Sequence, residues 1–249
     1  MNICISKCQY VYFVSPLGEE GHGIHREEIL TQKLVIFDCD GVLVDSEPLA
    51  AEAYVRVYAK QGLPITPEII GQCVGMKQAD ILLRVEQLTG YSLPLAGEAD
   101  IWPQTMAVFK ERLKPVPGIR SFLRNLGSPS CVASSSSIER IYFSLEATGL
   151  IEFFDPCIFS SSMVSRGKPA PDLFLFAADK MGIAPENCIV IEDSPFGVQG
   201  AVAAGMTVVG FTGGSHTTVD HGEKLLEAGA TFISTSWHEA EALLPAIER

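Results

Sequence analysis

An α/β fold, a doubly wound parallel sheet carrying an inserted all-helical region, is predicted by three features of the sequence. Short runs such as 34–37, 188–191 and 208–211 are apolar throughout rather than alternating, as strands covered on both faces must be. From residue 130 onward these runs alternate with segments of helical period, the pattern of a parallel sheet with crossover helices. Between the first strand and that alternation, residues 48–114 carry helical patterning alone, closed by the turn-forming Lys114-Pro115-Val116-Pro117-Gly118.

In chain order, Leu34 to Phe37 form the first strand, followed by a helix over 47–61 that places Leu49, Ala53 and Val57 on one face and stops at Gly62-Leu63-Pro64. Further helices are expected over 67–73, 80–88 and 99–113. After the proline-rich return come a strand over 130–133, a helix over 137–148, a strand over 157–159 and a helix over 171–181. Then follow a strand over 188–191, a helix over 196–204, a strand over 207–211, a helix over 219–228 and a last helix over 237–247. The domain reading is an N-terminal extension over 1–32, expected to be flexible, a sheet core over 33–47 and 115–249, and a helical insert over 48–114.

Composition narrows the function. The 249 residues are 47% hydrophobic and 19% charged, and 18 Lys plus Arg against 30 Asp plus Glu leave a net charge of -12. No basic cluster or basic-aromatic interleaving occurs, so nucleic acid is not the expected partner, whereas a small anionic substrate can still be held by local cations. The seven scattered cysteines include no Cys-x-x-Cys pair; they read as free thiols in a reducing cytoplasm, and Cys4 and Cys8 lack the companions of a zinc site. Residues 1–33 do not have the layout of a secretory signal. The charge-free stretch 194–219 is broken by Pro195 and repeated glycines, so no membrane span is expected.

The chemistry is expected where the first strand ends. Asp38 and Asp40 leave it two residues apart, hence on one side, and Gly41 lets the chain turn. Two close carboxylates repel each other unless one is protonated or a divalent cation sits between them. In a doubly wound sheet ligands bind beyond the carboxyl ends of the strands. Later strand ends and loops there supply Ser134, Lys168 and the pair Glu192-Asp193. A carboxylate can attack phosphorus, a hydroxyl and an ammonium can neutralise the transferring oxygens, and a second carboxylate can move the proton. Taken singly, Ser134 reads equally as a helix cap, Lys168 as a solvated charge and Glu192-Asp193-Ser194-Pro195 as a capping sequence. Their joint appearance at successive strand ends favours a site.

These segments, Asp38-Cys39-Asp40-Gly41-Val42-Leu43-Val44-Asp45-Ser46-Glu47, Ser134, Gly167-Lys168-Pro169-Ala170-Pro171-Asp172 and Ile191-Glu192-Asp193-Ser194-Pro195, resemble the four motifs of the haloacid dehalogenase superfamily. The form is similar to the branch of beta-phosphoglucomutase and the sugar-phosphate phosphatases. The resemblance spans residue 33 to the C-terminus and implies a Rossmann-like core with a helical cap domain. It implies Asp38 as nucleophile, Asp40 as general acid/base, Ser134 as donor to a phosphoryl oxygen and Lys168 as charge stabiliser. It also implies Mg²⁺ held by Asp38, the Asp40 carbonyl and Asp193, with Glu192 a ligand or a partner of the ligands. Asp45-Ser46-Glu47 then reads as the hinge into the cap.

Within that resemblance the mutase's cap histidine falls at Ala50 and its arginine at Gln78, and both departures favour water as the phosphoryl acceptor. Lys77 and Arg84 remain candidate substrate contacts or ordinary solvated charges. The expectation is a Mg²⁺-dependent phosphatase of a small phosphorylated metabolite, a sugar phosphate, with a sugar-phosphate mutase or a noncatalytic phospho-ligand binder as alternatives. Halide displacement needs neither Asp40 nor the Glu192-Asp193 pair. His216, in the loop Gly213-Gly214-Ser215-His216 after a strand, is placed to reach the site, but a loop histidine is more often solvated, and it is left out of the candidate set.

Overall fold

A computed structural model describes residues 33–247, and the N-terminal extension with Cys4 and Cys8 lies outside them. Among the described residues are six strands, β1 (Leu34–Phe37), β2 (Ser130–Ser134), β3 (Ile158–Ser160), β4 (Cys188–Glu192), β5 (Thr207–Phe211) and β6 (Phe232–Ser234). They form one parallel sheet in the order β3-β2-β1-β4-β5-β6. After β3 the chain returns past β1, so the order reverses there and opens a crevice at the carboxyl ends of the central strands.

Period-two alternation splits β1 between two cores. Val35 and Phe37 enter one, with Ile119, Phe122, Ile141, Leu145 and Trp237. Leu34 and Ile36 enter the other, with Leu173, Phe174, Ala177, Val198 and Leu225. All four β1 side chains are fully buried, each stabilising the fold by about 1.5–3 kcal/mol relative to exposure. The first core has an aromatic centre: Phe37 lies 6.0 Å from Phe122 and 5.8 Å from Trp237, and Trp237 stacks on Phe211 at 4.5 Å.

Between β1 and β2 run α1 (Glu47–Lys60), α2 (Pro67–Gly71), α3 (Gln78–Thr89) and α4 (Leu95–Arg112). They bury a core of their own from Tyr54, Val57, Tyr58, Ile70, Val85 and Ile101. The chain enters and leaves this layer side by side: Asp45 N donates to Lys114 O at 2.9 Å and Val116 N to Leu43 O at 3.0 Å. Trp102 of α4 meets Phe143 edge-on at 5.7 Å. The remaining helices are α5 (Ile119–Asn125), α6 (Ile138–Ala147), α7 (Asp172–Met181), α8 (Pro195–Ala203), α9 (His221–Glu227) and α10 (Trp237–Ile247).

Two elements go beyond the expected set. β6 is a three-residue edge strand, and α5 is a seven-residue helix held by Ile119, Phe122 and Leu123; both are too short for a periodic signal. The helix expected over 99–113 starts earlier, at Leu95. Among the described residues no helix is long and apolar enough to cross a membrane. Cys39, Cys73 and Cys188 are buried free thiols.

Candidate active site

The strand register brings the expected residues together. Phe37 pairs with Val132 of β2 and Ile191 of β4, so the three strands end within two residues of one another and present Asp38, Ser134 and Glu192-Asp193 at the crevice. Asp38 N is tied to Ile191 O at 3.0 Å. Gly41 turns the chain with φ 76°, and a side chain there would collide with the Asp193 carboxylate, so this position requires glycine on both counts.

Lys168 reaches in from the loop before α7. Its Nζ is 2.6 Å from Asp38 Oδ1 and 2.6 Å from Glu192 Oε1, and the lysine side chain is only 1% exposed. Burial opposes the ammonium charge, yet Asp38 and Glu192 outweigh it and hold Lys168 well above the ordinary lysine range. Glu192 Oε2 accepts from Ser194 N at 2.7 Å and from Ser194 Oγ at 3.0 Å, so both carboxylate oxygens are engaged. Ser194 Oγ in turn caps α8 by accepting from Gly197 N at 3.0 Å. The capping role and the site role of this segment therefore coexist.

Ser134 is 1% exposed, and its Oγ accepts from Ser136 N at 3.2 Å. It does not cap α6; Ser137 does, accepting from Arg140 N. The serine-rich loop is pinned to the neighbouring strand end, where Ser160 Oγ donates to Ser136 O at 2.7 Å and Ser161 Oγ to Ser135 O at 2.8 Å.

Asp40 faces three donors: Ser46 Oγ at 2.6 Å and Arg140 Nη2 at 2.7 Å on Oδ1, and Ser136 Oγ at 2.5 Å on Oδ2. Burial works against its charge, but Arg140 and the two serines prevail and hold the carboxyl below the ordinary range. Asp38 moves the opposite way. Burial raises it well above the usual carboxylate range, opposed by Lys168 and reinforced by Glu192, Asp193 and Asp40.

His216 is not solvated as the loop position had implied. Its side chain is 10% exposed, and Nε2 lies 3.1 Å from Asp193 Oδ2, an ion-pair contact whose angles fall outside hydrogen-bond geometry. The glycine-rich loop after β5 folds back over Gly41 and brings this ring in. Glu47 lines the cavity formed with Asp38, Asp40, Ser134 and Arg140. Burial, Asp40 and Asp193 push it up to about 7. Ser46, Glu47, Ser136, Arg140 and His216 thus join the site without having been singled out for it. Their only local signal is position, beside the acidic turn, beside Ser134 or after a strand.

Among the described residues five carboxyls face Lys168, Arg140 and His216 in this crevice, with His221 Nε2 2.6 Å from Asp193 O, and Asp193 Oδ2 is buried without a hydrogen bond. Among the described residues no three His, Cys, Asp or Glu side chains form a ready metal cage. Two carboxylates with a main-chain carbonyl, Asp38, Asp193 and Asp40 O, are nonetheless the oxygen donors a hard divalent cation takes while keeping water ligands. Glu192 is committed to Lys168 and Ser194.

Comparison with known proteins agrees with this architecture. A family model described as haloacid dehalogenase-like hydrolase matches residues 32–205. The chain is 32% identical over 184 residues to a 6-phosphogluconate phosphatase of Escherichia coli, covering 73% of this chain and 83% of that one. It is 34% identical over 203 residues to a phosphorylated carbohydrates phosphatase of Thermotoga maritima, covering 80% and 92%. A solved HAD family hydrolase from Deinococcus radiodurans, with bound phosphate and sodium, superposes with a TM-score of 0.71 at 33% identity, covering 88% and 97%. With the sheet order, the four strand-end segments and these matches in agreement, the chain is a hydrolase of the haloacid dehalogenase-like family.

Proposed function

We propose that this enzyme is a magnesium-dependent phosphomonoesterase that hydrolyses a small phosphorylated metabolite, a sugar phosphate, through an aspartyl-phosphate intermediate. The observation that carries the reading is the buried Lys168 bridging Asp38 and Glu192, with Asp40 held separately by Ser46, Ser136 and Arg140. One carboxylate is thereby placed beside an ammonium that can neutralise a phosphoryl group, and the other among donors suited to proton transfer.

In this mechanism Asp38, whose burial-raised carboxyl Lys168 and a bound cation would hold as the carboxylate, attacks phosphorus while the ester P–O bond breaks; Asp40, a carboxylate in the resting site, takes a proton from solvent as the anionic substrate binds beside it and gives that proton to the departing alcohol oxygen. Asp40, now a carboxylate, then takes a proton from water as that water attacks the acyl phosphate, releasing inorganic phosphate and restoring Asp38. The Ser134 hydroxyl and the Lys168 ammonium stabilise charge on the phosphoryl oxygens. Magnesium bound by Asp38, Asp40 O and Asp193 would offset the repulsion between carboxylates and phosphate. Glu192 fixes Lys168.

The helical layer over 48–114 acts as the cap that selects the substrate. Two adjoining cavities of about 40 and 80 Å³ lie between it and the sheet. Ala50 lines the first and Gln78 the second, so neither of these positions supplies the imidazole or guanidinium that a mutase would use, and water is the acceptor. Glu47 lines the first cavity without a hydrogen-bond partner among the described residues and can accept from a sugar hydroxyl. The phosphatase names of the relatives support the same substrate class. Buried free thiols at Cys39, Cys73 and Cys188 favour a reducing cytoplasm.

The test is phosphate release from a panel of sugar phosphates with and without magnesium. Release should require the cation and vanish in Asp38→Asn. Full activity in that variant, or tight binding with no turnover across the panel, rejects the proposal.

A further inference from the structure

Arg140 holds Asp40, and the mechanism above uses that contact without saying what it does for the reaction. It sits in the first turn of α6, fixed by its own N–H to the Ser137 cap at 3.3 Å, and its guanidinium stands over the Phe109 ring of α4, 5.2 Å from the centroid. Nη2 reaches Asp40 Oδ1 at 2.7 Å. The side chain also lines both cavities, with Asp38, Asp40 and Ser134 in one and with Tyr54, Gln78, Trp102 and Thr105 in the other.

We propose that Arg140 is a positioning residue for Asp40, aiming its carboxyl at the leaving-group oxygen. The inference rests on the phosphatase reading and adds a residue that the four motif segments do not contain. Asp40 stands on a turn next to Gly41, so its direction must come from outside that turn. Ser46, six residues along the chain, and Ser136 with Arg140, from the serine-rich loop and the first turn of α6, supply it, and Arg140 alone of the three brings charge. The pair is not sealed in the core but borders the cavity. Here the pair lines it, between the phosphoryl end and the second cavity, where the departing alcohol has to lie. As Asp40 passes its proton to that oxygen it gains a negative charge beside the guanidinium.

The experiment compares wild type, Arg140→Met and Arg140→Lys in full-length protein with magnesium. One ester is whichever of glucose 6-phosphate, fructose 1-phosphate and 6-phosphogluconate wild type turns over fastest, and the other is p-nitrophenyl phosphate. The first leaves as an alkoxide that needs a proton, and the second as a stable phenolate that does not. For Arg140→Met, kcat/KM on the sugar phosphate should fall roughly 100-fold, within the usual span for losing proton-transfer assistance. On p-nitrophenyl phosphate it should fall by less than about 5-fold on the same reasoning. Arg140→Lys should recover part of the loss on the sugar ester. The inhibition constant of inorganic phosphate should stay near the wild-type value, which also reports an intact site. Equal losses on both esters, no loss on either, or an inhibition constant that rises in step with the lost rate would overturn the assignment. If wild type hydrolyses neither ester, the phosphatase reading falls and this assignment with it.

Discussion

Lys168 Nζ lies 2.6 Å from Glu192 Oε1, and the two side chains are 1% and 0% exposed. Truncating one member of a buried ion pair leaves the other charge uncompensated, at a cost of about 3–5 kcal/mol. In Glu192→Gln the amide can still accept from Lys168 but no longer neutralises it, and its NH₂ cannot accept from Ser194 N. The variant should fold with a lower melting temperature, and kcat/KM should fall by roughly 10²-fold, as when an electrostatic stabiliser is displaced. Thermal melts and phosphate-release kinetics check the two effects, and an unchanged kcat/KM would show that Lys168 does not need this anchor.

Gly197 makes that anchor possible. A Cβ at this position would collide with the Glu192 carboxylate, so Gly197→Ala has to push Glu192 off Lys168 or tilt the first turn of α8. Overpacking of this kind costs about 1–3 kcal/mol. The loss of activity should approach that of Glu192→Gln, although the alanine lies one step removed from any reacting atom. Alanine at the neighbouring Val202, 44% exposed on the same helix system, should leave both readouts near wild type.

His216 predicts a pH dependence of stability in protein stripped of metal. Burial disfavours its charge, but Asp193, with Glu47 and Asp45 behind it, raises it to about 9 from an ordinary 6.5. A raised histidine stabilises the fold through its protonated form. The contribution is therefore complete below about pH 6.5 and is lost as pH rises through about 9. In chelator, the wild-type melting temperature should fall across that window more steeply than that of His216→Gln. Parallel curves for the two proteins would reject the ion pair with Asp193.

The sheet was legible because its central strands are buried on both faces, which writes uninterrupted apolar runs into β1, β4 and β5. β6 was not, since Phe232 and Ile233 are only half-buried on an edge and three residues carry no period. The same division runs through the site. Asp38, Ser134, Lys168 and Glu192-Asp193 each sit at a strand end or in an adjoining loop, where position marks them. Arg140 and His216 acquire meaning only from partners distant in sequence: Arg140 meets Asp40 100 residues away, and His216 depends on a loop folding back over Gly41. Ser46 and Glu47 were read as a hinge because the chain does turn there. Their side chains nevertheless face the site, with Ser46 on Asp40 and Glu47 on the cavity wall.

Glu47 carries the prediction about substrate choice. Its carboxyl lines the cavity beside Asp40 and Arg140 and makes no hydrogen bond among the described residues, and burial with Asp40 and Asp193 pushes it up to about 7. Near neutrality it is therefore part protonated and part ionised, able both to donate to and to accept from a hydroxyl of the leaving group. An ester without hydroxyls has nothing to offer it. Glu47→Gln keeps the shape and most of the hydrogen-bonding capacity, so it should raise KM for a sugar phosphate by about 3-fold, whereas Glu47→Ala, which leaves hydroxyls facing an empty wall, should raise it by about 10-fold or more. Neither should change KM for p-nitrophenyl phosphate by more than about 2-fold, because the phosphoryl contacts are untouched. If both esters suffer alike, Glu47 acts on Asp40 or on the bound cation, and the choice of substrate is made elsewhere in the helical layer.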